Sequence, residues 1–206
     1  MHLSLAFAFD VSQLRLGWID LLAVISLLLG LHLGNRTGAS KQILSFAMWL
    51  LVLAFSAFGY LFLGPLFTQW FGLDSAVGDL LAYLTIASVT ALILAIINRA
   101  YADRVEATTA FGKMEYVLGP IAAMVRNLAV LLLVMGAIHG LSVSSVVEQR
   151  QRKEQMNNYG MMLYPTKGMI RDAVFVDSTT GRLAQQFLSF LMVDPDREVQ
   201  QRASLR

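Results

Sequence analysis

Two stretches without a single formal charge, residues 42–73 and 80–98, constrain this chain more than any other feature. Water-soluble domains carry about 25% charged residues, whereas here 15% of the 206 residues are charged and 56% are hydrophobic. Crossing roughly 30 Å of hydrocarbon at 1.5 Å per residue takes about 20 apolar residues in a helix. Four segments qualify: residues 18–34, 42–63, 79–98 and 120–140. The expected fold class is all-α and integral to a membrane, with four transmembrane helices in residues 1–147 and a polar C-terminal tail in 148–206.

The first segment is uncharged after Asp20, and Trp18 stands where an amphipathic ring meets the headgroups. Gly64 and Pro65 offer a stop for the second, with residues 66–71 left for the interface. The third is rich in Leu, Ile and Ala on all sides. The fourth has three open registers, starting near Tyr116, at Pro120 or at Asn127, and a Pro120 start suits proline's preference for the first helical turn. Residues 1–9 lack the basic start and cleavage site of a signal peptide.

Basic residues set the expected orientation. The loops 35–41 and 99–115 hold Arg36, Lys41, Arg99, Arg104 and Lys113, against Arg15 on the other side and then Arg150, Arg152 and Lys153 after the last span. Five against four makes those two loops cytoplasmic and places both termini outside. In the tail, Leu183, Phe187, Leu188 and Leu191 recur at helical spacing, so a short amphipathic helix ends before Asp194-Pro195. Leu183, Phe187 and Leu191 form its candidate docking face.

Arg126 is the formal charge set deepest in an apolar run. A cation at a helix centre costs about 2.5–3.5 kcal/mol on insertion scales, so Arg126 either lines a polar path or snorkels to the interface. From a Pro120 start it lies about 9 Å deep. If it pairs with a carboxylate, its lean toward the helix N-terminus favours Glu115, Glu106 and Asp103 over Asp20 and Asp79. Ser26, Gly30, Gly34 and Gly38 recur every four residues, as do Ala87, Ala91 and Ala95. Small residues at that spacing let helices approach closely, within one chain or between copies.

His32 and His139 sit at opposite span ends, so they share no site. Asn35-Arg36-Thr37 fits a glycosylation acceptor in a loop too short to serve, and Asp194-Pro195-Asp196 reads as a helix terminator. With no cysteine and no hydrolase, metalloprotease, phosphate-loop or dinucleotide motif, neither an enzyme nor a cofactor or metal is expected. The +2 net charge forms no broad basic patch, so nucleic acid is not an expected partner.

Trp18-Ile19-Asp20, then Arg36 with Gly38, then Leu118-Gly119 followed by Arg126 make the chain resemble the colicin V production protein (CvpA) family over residues 17–139. Members show an aromatic or apolar residue before an Asp, a basic turn followed by Glu, and an L-G-x-x-x-G-x-x-R-G stretch. Here Gln42 stands near the place of the loop acid, and Ala123 and Asn127 replace glycines. The resemblance implies a multi-pass bacterial inner-membrane protein linked to bacteriocin production or export and to envelope homeostasis. It marks Asp20, Arg36, Gly38, Gly119 and Arg126 and transfers no chemistry. Some relatives add a serine protease domain, for which this tail is too short.

Three functions are expected from these residues. One is a non-enzymatic module acting on lipid-embedded protein partners or as a homo-oligomer, another is a small channel or transport subunit with Arg126 facing water, and the third is a scaffold that binds lipid through Arg150, Arg152 and Lys153.

Overall fold

The computed structural model describes residues 16–37, 39–106, 112–141, 145–160 and 164–194. Seven α-helices follow one another among the described residues: α1 (Trp18–Thr37), α2 (Ala39–Phe71), α3 (Ser75–Glu106), α4 (Glu115–His139), α5 (Ser145–Tyr159), α6 (Lys167–Phe175) and α7 (Thr179–Leu188). Short 3-10 turns precede α4, at Gly112–Met114, and follow α7, at Ser189–Leu191. The first four helices are each long and apolar enough to span a bilayer. The protein is an all-α, multi-pass membrane protein.

The four long helices lie in the spatial order α1, α4, α2, α3. Helix α4 packs against both α1 and α2, while α2 also holds α3. Small residues decide the α1–α4 contact. Gly30 faces Met124 and Gly34 faces Gly119 and Pro120, so the two helices run antiparallel with backbones almost touching. Most large side chains outside these seams, such as Leu28, Leu92 and Ile96, stay exposed and suit contact with lipid tails.

Helix boundaries depart from the expected ones: α1 runs on to Thr37, α2 begins at Ala39 and α3 at Ser75, and three further departures are larger or bear on the sites. Helix α2 continues through Gly64 and Pro65 to Phe71. Proline removes one backbone bond, but packing on both sides of it holds the helix: Gly64 rests against Asp79 of α3, and Leu63 and Phe67 pack on Tyr60 and Tyr83. Helix α3 runs past Asn98 to Glu106. Helix α4 starts at Glu115, so Pro120 stands inside it rather than at its first position.

The tail folds back on the end of the array where α1 begins and α4 stops, called the tail end below. Val174, Phe175, Ala184 and Met192 enter one hydrophobic core with Ile19, Ala23, Leu53, Leu132 and Met135. The opposite end, where α1 stops and α2 begins, is called the turn end below.

Candidate functional sites at the two ends of the array

At the tail end, Asp20 is a buried carboxylate in the first turn of α1. It accepts hydrogen bonds from the backbone N–H groups of Gly17 (2.8 Å), Thr179 (3.1 Å) and Thr180 (2.7 Å). The latter two are orphan donors at the start of α7, where negative charge is favoured. Asp20 is therefore the electrostatic stop that seats α7, working beside the Ser178 cap, whose hydroxyl accepts from Gly181 N–H.

Beyond α7 the chain runs extended through Met192 and Val193, both buried against the long helices. His139, the last residue of α4, donates from Nδ1 to the Val193 carbonyl at 2.9 Å and meets Phe175 edge-on, with ring centroids 5.1 Å apart. The Tyr60 hydroxyl accepts from Asp194 N–H at 3.1 Å. Tyr83, fully buried, donates to the Leu133 carbonyl at 3.3 Å and packs edge-on against Tyr60. Tyr60 of α2 and His139 of α4 thus hydrogen-bond to the backbone of Asp194 and Val193, while Tyr83 of α3 bonds to α4 and packs in one cluster with Val193.

Outside the bilayer segments, Glu148 of α5 accepts from Arg152 and from the Thr166 hydroxyl at the cap of α6. These two hydrogen bonds hold its carboxyl below the usual carboxylate range. A depressed folded-state value adds stability at neutral pH, and that stability is lost as acid protonates the group. Hydrogen exchange at the Met169 amide, corrected for its intrinsic rate, should accelerate on acidification, and Glu148→Gln should remove that pH dependence. An unchanged pH dependence in the variant would assign the effect elsewhere.

At the turn end, Arg126 is half-buried on α4. Its Nη1 donates to Gln42 Oε1 (3.0 Å) and Ser45 Oγ (3.4 Å), and its Nε and Nη2 donate to Asn127 Oδ1 (3.3 and 3.1 Å). Asn127 donates in turn to the Ser26 carbonyl at 2.9 Å, and Gln42 donates to Thr37. The polar chain thus joins α1, α2 and α4 from the turn end inward. Arg126 lies about 16 Å along α4 from its start, yet its guanidinium meets the first turn of α2, which is the backward lean expected of a helical side chain.

The side chains of the favoured carboxylate partners, Glu115, Glu106 and Asp103, lie outside the described residues. Among the described residues Arg126 touches neutral acceptors, and Asp20 is committed to α7 at the far end. Arg36 is exposed in the last turn of α1, Gly38 lies outside the described residues, and Gly119 is buried under Gly34. Ser26, Gly30 and Gly34 line the α1–α4 seam. Ala87 is buried, and Ala91 and Ala95 border a cleft between α2 and α3 with Ser45 and Trp49.

Leu183 and Phe187 remain exposed, while Leu191 is partly buried against the core. All three line an apolar groove of about 670 Å³ between α7, α2 and α4, floored by Leu50, Val125 and Leu128. Tyr60 and Tyr83 had no signal in the residue pattern beyond being polar groups inside apolar runs, and Gln42 and Asn127 stood out only as departures from the family motifs.

No curated protein and no solved structure matches the chain. A family model described as Colicin V production protein matches residues 19–175, from the residue before Asp20 through the end of α6. With a match across most of its length, this chain belongs to the colicin V production protein family.

Proposed function

We propose that this chain is a non-enzymatic module of the bacterial inner membrane that serves bacteriocin production or export, and envelope homeostasis, by binding a partner protein within the bilayer. Membership of the colicin V production protein family supports the link to bacteriocin production. The groove beside α7 carries the rest of the reading, because it is apolar, lies along two spans and leaves Leu183 and Phe187 uncovered. A transmembrane helix of the partner fits such a surface by close packing.

Replacing Leu183 and Phe187 together by serine tests this reading without touching Asp20, His139 or Tyr60. In a strain lacking the protein, the wild-type chain should restore secreted bacteriocin. The double variant, at equal membrane abundance, should fall short by about tenfold or more, the loss that truncating central interface residues brings. Full restoration by the double variant would remove the groove from the function.

A further inference from the structure

Arg126 carries a formal charge inside a membrane-spanning helix, and among the described residues each of its hydrogen-bond acceptors is neutral. Its guanidinium has five N–H donors. Two on Nη1 are directed to Gln42 and Ser45, and those of Nε and Nη2 share Asn127 Oδ1, which leaves one Nη2 N–H open. The neutral acceptors orient the plane of the group without cancelling its charge. Ser45 accepts from Arg126 through its oxygen and keeps its own O–H proton to donate.

The site also lies where anions are found in a bilayer. Gln42 is in the first turn of α2 and bonds to Thr37 in the last turn of α1, so the guanidinium is two hydrogen bonds from the end of α1. Thr37 ends one candidate span and Gln42 opens the next, so by span length this is the level at which the headgroups of that leaflet begin. A planar, oriented guanidinium with an adjacent hydroxyl suits phosphate oxygens, which accept forked, charge-assisted hydrogen bonds.

We propose that Arg126, oriented by Gln42 and Asn127 and assisted by Ser45, binds a phosphate group at the turn end, supplied by an anionic lipid headgroup or by free phosphate. The bound anion neutralises a charge for which the described residues supply only neutral acceptors. This inference is independent of the partner groove, since none of these four residues lines it.

The test uses the full-length protein, delipidated in a neutral detergent, and follows its thermal midpoint against added phosphatidylglycerol, phosphatidylcholine or inorganic phosphate. A saturable rise with phosphatidylglycerol beyond that with phosphatidylcholine is expected, and Arg126→Gln should weaken the apparent affinity about tenfold or more. Gln42→Glu is the second variant. It is isosteric, keeps Arg126 paired and folded, and should weaken binding comparably by supplying an internal counter-charge 3.0 Å away. A rise with inorganic phosphate alone assigns the free anion, and a rise confined to the lipid assigns the headgroup. Equal responses to both lipids together with no response to inorganic phosphate, or wild-type affinity in Gln42→Glu, would overturn the proposal.

Discussion

Gly34→Ala should force α1 away from α4 and cost about 3 kcal/mol, the upper end of what overpacking usually brings. A methyl carbon at Gly34 would lie 2.6 Å from the Pro120 nitrogen and 2.7 Å from the Gly119 carbonyl oxygen. Both are backbone atoms of a helix held by its own hydrogen bonds, so neither yields by a rotamer change. Gly30→Ala meets the Met124 Cα at 2.7 Å and should behave alike. Gly59→Ala is the internal control: its nearest neighbour is the Ile86 Cδ1 at 2.8 Å, the free end of a flexible side chain. Thermal midpoints in detergent should fall steeply for the first two variants and only slightly for the third. Equal falls at all three positions would mean that the α1–α4 seam is no tighter than the rest.

Asp20→Ala should release the tail from the membrane unit. Three backbone donors that the carboxylate now satisfies would lose their acceptor, two of them at the start of α7. Unmet buried donors cost about 1–3 kcal/mol each without adding linearly, and the lost charge at the α7 terminus adds to that. A combined loss of about 3 kcal/mol raises the undocked population more than a hundredfold. Limited proteolysis in membranes should then cut within residues 176–194 correspondingly faster, because cleavage tracks the open population when closing is fast. Asp20→Asn keeps one acceptor and should give an intermediate rate. Wild-type cleavage in Asp20→Ala would show that the Tyr60 and His139 hydrogen bonds suffice to hold the tail.

The existence of the spans was legible because a bilayer leaves no alternative: a lipid-embedded backbone must satisfy its own hydrogen bonds over a fixed thickness. The amphipathic spacing of Leu183, Phe187 and Leu191 was legible for the same kind of reason. Span ends were not. Gly64-Pro65 reads as a stop by local preference, but the packing of Gly64 on Asp79 and of Phe67 near Tyr83 carries α2 on to Phe71. Local propensity is worth less than the contacts on either side, and those contacts come from residues distant in the chain.

The same division runs through the two sites. Sequence alone marked Asp20 and Arg126 as charges out of place, since any charge beside a long apolar run must be compensated. Which groups meet them depended on the spatial order of the helices. Setting α4 between α1 and α2 brings Gln42, Ser45 and Asn127 to the guanidinium, and folding the tail back brings the start of α7 to Asp20. Hydrophobic patterning determined that this chain enters a membrane, and close packing of small residues across helices decided which polar groups meet there. Lipid rewards apolar surface without regard to neighbours, whereas a hydrogen bond requires one particular neighbour within about 3 Å.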